Sequence, residues 1–253
     1  MISLLLLTAA SIFVPTDLVA DAFAGREGAL VIIDCASGEI QRHNPPLCGK
    51  KVAPCSTFKI WNTAIGLETG LLDSAGQPFW KWDGVKRTIE PWNQDLTLRE
   101  SYAASCVPAY QALARQIGAE RMEAWLKKLG YGDRNTSSGL DVFWLPAPGR
   151  KPLLISADEQ ARLMERLATG EVPFSVRTQT ILKDIMTAKK GDRGTLYGKT
   201  GTSGNVGKGE AETGWFVGYF VSEKRTLAFA CVLQGDKATG KEARTIVEKV
   251  FEL

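Results

Sequence analysis

The sequence predicts an α+β fold: an antiparallel sheet formed from both chain ends, flanked by helices, with an inserted helical subdomain. Two hairpin signals and a strand-poor middle predict it. Near the N-terminus "GALVIID" turns through "SGE" into "IQRHN", and near the C-terminus "GWFVGYFV" turns through Ser222-Glu223-Lys224 into "TLAFACVLQ". Between these ends the apolar residues recur at helical rather than alternating spacing.

The C-terminal hairpin is preceded by a third strand, "GTLYGKT". The middle strand of the three is apolar on both faces, as expected of a strand covered by helices on both sides. A closing amphipathic helix over residues 240 to 252 supplies one cover. In the middle, Thr97 with Glu100 and Ser156 with Glu159 each match the capping box that starts a helix. Met122, Trp125, Leu126 and Leu129 follow the helical period, and Gly130 stops that helix. From Tyr131 to Ile155 periodicity is lost; a stretch of that length with "RNTSSG" and "PAPGRKP" is expected to be a packed or functional surface loop.

The 253 residues are 44% hydrophobic and 23% charged, enough for one substantial core with a subdomain. A net charge of +3 is scattered, and the pairs Lys127-Lys128 and Lys189-Lys190 read as solvated helix ends. No basic stripe is interleaved with aromatics, which argues against a nucleic-acid partner. "MISLLLLTAASIFV" is shorter than the roughly 20 apolar residues that span a bilayer, and Ala20-Asp21-Ala22 fits a small-x-small cleavage site. Residues 1–22 are therefore expected to be a signal peptide and 23–253 a single domain, exported to the periplasm or secreted, with no membrane span in the mature chain. The n-region lacks Lys and Arg, so a buried first helix is the alternative.

Five cysteines (Cys35, Cys48, Cys55, Cys106, Cys231) leave at least one unpaired in an exported chain, and none has metal-ligand spacing. The one histidine, His43, precedes Pro45-Pro46 and is expected in a surface loop; it can build neither a zinc site nor an obvious triad.

Chemistry enters with "APCSTFKIWNTAIGLETG". Ser56 and Lys59, three residues apart on a helix, share a face, so the amine can reach the hydroxyl. A serine needs an adjacent base to become a nucleophile, and lysine serves only once neutral. Burial beside Phe58, Ile60 and Trp61 penalises its charged form. Alone, Ser-x-x-Lys occurs by chance about once in a chain of this length; its structural reading is a capping serine and a snorkelling lysine. The company is what counts: Ser105-Cys106-Val107 falls between two helices, and Lys199-Thr200-Gly201 falls on a strand.

"STFK", "SCV", "YGD" and "YGKTG", followed by "GWFVGY", resemble the class D β-lactamases, the oxacillinases, among the serine penicillin-recognising enzymes. The resemblance covers nearly all of the expected mature chain. It implies a hydrolase that opens β-lactam antibiotics through a serine acyl-enzyme and confers resistance, with no cofactor besides carbon dioxide or bicarbonate, working as a monomer or homodimer. By the same resemblance Ser56 is the nucleophile and Lys59, as N6-carboxylysine, the general base. Ser105 shuttles a proton to the β-lactam nitrogen, and Trp144 in "DVFWL" holds the carboxylated lysine through its indole N–H, a donor-only group suited to an anion. Val107 keeps the pocket apolar where the class A motif has Asn. Lys199, Thr200 and Gly201 face the substrate, the backbone N–H groups of Ser56 and Thr202 form the oxyanion hole, and Arg244 grips the substrate carboxylate with its planar fork of donors. For Arg244 the local alternative is a helix-surface pair with Glu248.

Three features depart from the family pattern. Tyr131-Gly132-Asp133 replaces Tyr-Gly-Asn, Trp61 stands where many members have proline, and Cys55 and Cys106 adjoin the two site serines, where a disulfide or free thiols are both open. Two rival functions share the motifs. A β-lactam-sensing, penicillin-binding receptor domain traps the acyl-enzyme, and a peptidoglycan transpeptidase normally ends its second motif in Asn, against which Val107 counts.

Overall fold

The computed structural model describes residues 14–204 and 211–253. Six strands form one antiparallel sheet in the order β2-β1-β8-β7-β6-β5, built from both chain ends as expected. The strands are β1 (Gly28–Asp34), β2 (Ile40–His43), β5 (Thr187–Gly191), β6 (Gly194–Thr202), β7 (Thr213–Val221) and β8 (Thr226–Gln234). A separate two-stranded ribbon pairs β3 (Pro78–Trp80) with β4 (Leu96–Thr97).

Strand alternation sorts the core into two layers. Ala29, Val31, Ile33, Trp215, Val217, Ala228 and Ala230 face the helical middle. Leu30, Ile32, Phe216, Phe229 and Leu233 face the helices of the chain ends, α1 (Thr16–Phe23) and α9 (Gly240–Val250). Eight of β7's nine residues are buried, so this strand is sandwiched, as its unbroken apolar run predicts.

The middle holds α2 (Pro45–Cys48), α3 (Lys59–Glu68), α4 (Leu98–Ala103), α5 (Val107–Ile117), α6 (Ala119–Leu129), α7 (Ala157–Thr169) and α8 (Val176–Ile185). Both expected capping boxes start helices, Thr97 with Glu100 on α4 and Ser156 with Glu159 on α7. Gly130 ends α6 in the left-handed conformation. Residues 131–155 form the expected loop, and it is packed: Phe143, Trp144, Leu153 and Ile155 are fully buried. Its two ends are clasped together. Asp133 Oδ1 accepts from the Leu154 N–H at 3.0 Å, and the Asp133 N–H donates to the Leu154 carbonyl. Gly132, at φ +52°, brings its backbone so close that a Cβ would lie 2.3 Å from the Leu154 oxygen. The Asp in place of Asn therefore serves as the acceptor of that clasp.

Three expectations need correction. Lys189 and Lys190 lie on β5 rather than at a helix end; charge on an edge strand blunts pairing with other chains and hides the strand's alternation. His43 is not in a surface loop: it ends β2, half-buried, with its ring stacked on Phe23 at 4.4 Å. Ser56 stands on a 3-10 turn (Cys55–Phe58) that leads into α3, not on the α-helix itself.

Most of the expected signal segment, residues 1–13, lies outside the described residues. Its end is the helix α1, whose Val19, Ala22 and Phe23 are buried in the layer shared with α9. Among the described residues no helix is long and apolar enough to cross a membrane. Their cysteines are all free thiols, Cys35 half-buried and the other four buried, so Cys55 and Cys106 are not bridged.

Candidate active site

The turn that carries Ser56 is fixed by the sheet and by the loop beneath it. Trp215 Nε1 on β7 donates to the Ala53 carbonyl at 2.9 Å, and Val52 bridges to Ile155 through two backbone hydrogen bonds. Thr57 Oγ1 donates to the Pro54 carbonyl at 2.7 Å and accepts from Gln160 Nε2 of α7. Gly201 on β6 packs against the same turn, where a Cβ would meet the Pro54 oxygen at 3.0 Å and Thr57 Cγ2 at 3.1 Å. Cys55, before the serine, is held at φ +53°. A non-glycine residue there persists only when its surroundings over-determine it, and such strain clusters at functional sites.

Lys59 opens α3, and its Nζ lies 2.7 Å from Ser56 Oγ. Its side chain is fully buried although ionisable. Burial drives the ammonium well below the usual lysine range and the nearby Lys199 charge pushes the same way; only thiolates at Cys106 and Cys55 would oppose them. Burial also keeps those thiols protonated, Cys55 being pushed up to about 12. The Lys59 amine is thereby biased toward the neutral, basic form beside a hydroxyl.

The other motifs converge on this pair. Ser105 sits between α4 and α5, half-buried, at φ +54°, with Val107 as the first residue of α5. Two tyrosines flank this motif and face the two lysines: Lys199 Nζ lies 5.5 Å from the Tyr102 ring and Lys59 Nζ 5.4 Å from the Tyr110 ring. The Tyr110 hydroxyl meets Thr63 Oγ1 at 2.9 Å, which anchors α5 on α3. Neither tyrosine stands out in the sequence; the available signal is their position three residues before Ser105 and three after Val107, which helical spacing turns to the motif.

Lys199 is buried on β6, and its Nζ reaches the Thr200 carbonyl at 3.1 Å and Thr200 Oγ1 at 3.3 Å. Burial first, and the Arg244 guanidinium second, lower its pKa to about 7. Thr202, exposed at the end of β6, accepts the Gly240 N–H on its Oγ1 at 2.9 Å. Arg244 on α9 makes the local pair weighed from the sequence, Nε to Glu248 at 2.7 Å, and its Nη2 also donates to the Ala188 carbonyl of β5. Trp144 is fully buried and stacks on Phe58, next to Lys59, at 5.6 Å. Among the described residues its Nε1–H has no partner. Trp61 is absorbed into α3 as a buried ring stacked on Phe174 at 6.3 Å.

This geometry can be set beside known proteins. The penicillin-binding protein transpeptidase domain matches residues 28–252. The probable β-lactamase YbxI of Bacillus subtilis is 36% identical over 233 residues, 92% of this chain and 84% of its own length. Beta-lactamase OXA-10 of Pseudomonas aeruginosa is 36% identical over 219 residues, 86% of this chain and 79% of its own. A crystal structure of a class D β-lactamase from Bacillus subtilis superposes with a TM-score of 0.84 at 36% identity, covering 92% of this chain and 94% of that one. The chain belongs to the class D serine β-lactamases. Relatives named as β-lactamases support β-lactam hydrolysis as its activity. The regulatory protein BlaR1 of Bacillus licheniformis is also 30% identical over 226 residues, 89% of this chain but 36% of BlaR1's own length. In this class D enzyme Lys59 thus contacts Ser56 and feels the Lys199 charge, and Tyr102 and Tyr110, on the helices either side of Ser105, face the two lysines.

Proposed function

We propose that the protein hydrolyses β-lactam antibiotics with multiple turnovers through an acyl-enzyme on Ser56, with Lys59 N-carboxylated as the general base, and so confers β-lactam resistance. One observation carries this reading: the Lys59 amine, fully buried and driven toward neutrality, lies 2.7 Å from the Ser56 hydroxyl. A neutral amine takes up carbon dioxide and an ammonium does not. The unpartnered N–H of buried Trp144, beside Phe58, suits an anion on that side chain. The carbamate, once formed, supplies an anionic base for acylation and deacylation.

The chain's own groups do the rest. Ser56 Oγ attacks the β-lactam carbonyl carbon, the C–N bond breaks, and Ser105 hands a proton to the leaving nitrogen. The backbone N–H groups of Ser56 and Thr202 receive the developing oxyanion; such donors are worth about 3 kcal/mol of barrier each. Lys199, Thr200 and Gly201 line the substrate side, with Arg244 drawing the substrate carboxylate toward the same cationic end. Val107 keeps water from the lysine. Export is part of this proposal, since the target of β-lactams lies outside the cytoplasm; N-terminal sequencing of the mature protein checks whether cleavage falls at Ala20-Asp21-Ala22 or ahead of the packed helix α1.

The test is nitrocefin turnover with and without added bicarbonate. Many product molecules per enzyme, at a rate that bicarbonate raises, are expected. A stoichiometric burst followed by a stable adduct contradicts hydrolysis and supports the sensing function instead.

A further inference from the structure

We infer that Trp92 is a positioning residue for Ser105: its indole N–H, bonded to the Ala104 carbonyl, sets the strained turn from which the Ser105 hydroxyl is presented. The inference rests on the reading of Ser105 as the group that passes a proton to the β-lactam nitrogen.

The last carbonyls of a helix lack intrahelical donors and take whatever donor the fold supplies. Behind α4, the Ser105 N–H closes onto the Tyr102 carbonyl at 3.1 Å and the Cys106 N–H onto that of Ser101 at 2.8 Å, which forces Ser105 to φ +54°. The Ala104 carbonyl, immediately before this bend, accepts Trp92 Nε1–H at 2.9 Å. Trp92 is held in turn. It ends a short 3-10 turn (Glu90–Trp92), and its own carbonyl accepts Trp80 Nε1–H at 2.9 Å. The Trp80 ring carries the Arg87 guanidinium at 5.4 Å, and Arg87 is fixed to Asp83 at 2.6 Å.

Packing closes the brace from the other side. Cys106, the residue after Ser105, is fully buried in a small separate cluster with Leu96 and Ala109, against which Phe79, Trp80 and Trp92 pack. So the residue before Ser105 is tied to Trp92 by a hydrogen bond, and the residue after it lies in the cluster that Trp92 packs against. Proton transfer needs the hydroxyl within hydrogen-bond reach of the nitrogen, and a misplacement of about 1 Å can cost about 100-fold. Strain at Ser105 makes the turn ready to relax when one restraint is lost.

The ring alone would serve packing; the N–H serves position. The experiment is therefore Trp92→Phe, with stopped-flow acylation by benzylpenicillin and adduct lifetime measured in saturating bicarbonate, in the native and Ser105→Ala backgrounds. Trp92→Phe is expected to slow acylation about tenfold, to leave adduct lifetime within about twofold, and to add nothing once Ser105 is alanine. Unchanged acylation, or an equal loss in both backgrounds, overturns the inference while leaving the role of Ser105 standing. Native acylation in Ser105→Ala alone removes that role, and this inference with it. Should Trp92→Phe not fold, Trp80→Phe loosens Trp92 from one step away: a loss of about threefold that vanishes in Ser105→Ala supports the brace, and no loss overturns it.

Discussion

The turns bearing Ser56 and Ser105 are linked through Lys59, which bonds Ser56 and faces Tyr110 on the helix after Ser105, yet they are secured by different means. Ser56 rests on the main core: β6 and β7 press on its turn, nine of the ten residues of α3 are buried, and Phe58 is ringed by Tyr131, Phe143 and Trp144. The helices either side of Ser105 reach the main core through Tyr102 and Tyr110, but Cys106 beside it rests on a satellite of three buried residues, and the Ala104 carbonyl on a single hydrogen bond from Trp92, in the segment between β3 and β4 that carries the exposed side chains Trp82, Val85 and Ile89. Close packing resists displacement, whereas a lone hydrogen bond contributes about 1 kcal/mol and leaves room for adjustment. The nucleophile and its base are therefore built as fixed parts, and the proton shuttle as a part that substitutions can retune.

The largest effect should come from the fixed side. Lys59→Ala is expected to lower turnover by at least about 10³-fold while the fold survives, because the cavity cost is offset by removal of a buried ionisable amine. Steady-state hydrolysis at the native rate would take lysine out of the mechanism, and a variant that cannot fold would show the base to be a structural element of the core.

Next in size is Trp144→Phe, which keeps a ring against Phe58 and deletes the unpartnered N–H. Deacylation should slow by about 10-fold to 100-fold, with more bicarbonate needed for full activity; adduct lifetime by mass spectrometry reads this. An unchanged lifetime would mean that the anion on Lys59 has another donor.

A pH measurement compares the two buried lysines. Lys199 has a folded pKa of about 7 against an ordinary value of 10.5. Between those limits the unfolded chain binds protons that the folded protein has shed, so this residue's contribution to stability rises with pH and is at its least favourable below pH 7. Lys59 contributes with the same sign. Lys199→Met should accordingly stabilise most near pH 6, with the difference from the native protein shrinking toward pH 8.5; urea unfolding measures it. A difference that grows with pH would contradict the direction of the shift.

The smallest effect separates the two regions through their matched capping boxes. Thr97→Ala and Ser156→Ala should each cost about 1 kcal/mol of stability. Only Thr97→Ala, at the start of the helix that ends at the Ser105 turn, should also slow acylation measurably. Equal kinetic effects from both would erase the distinction between a fixed and an adjustable side.

What the sequence revealed follows from the range of the interactions concerned. Capping boxes, the Gly130 stop and the two hairpins depend on neighbours within a few residues, and the fold has them where expected; of the motifs, Ser105 falls between two helices and Lys199 on a strand as expected, while Ser56 stands on a 3-10 turn ahead of its helix. Edge strand β5 was hidden because Lys189 and Lys190 replace the alternation that marks a half-buried strand. Contacts across the fold were hidden for a different reason. Trp92 meets Ala104 twelve positions away, Lys199 meets the face of Tyr102, and Arg244 reaches Ala188, each a product of topology that no local pattern encodes. Trp144 could be singled out among the tryptophans only by family resemblance; its lack of a partner emerges once the loop is folded over Phe58.

The central claim is a buried amine that sheds its proton and captures carbon dioxide beside Ser56. Carbon-13 spectroscopy of the active enzyme in labelled bicarbonate, at mildly alkaline pH, tests it most directly. A carbamate resonance that is lost in Lys59→Ala is the expected result; an enzyme that turns over nitrocefin with no such resonance would contradict the account.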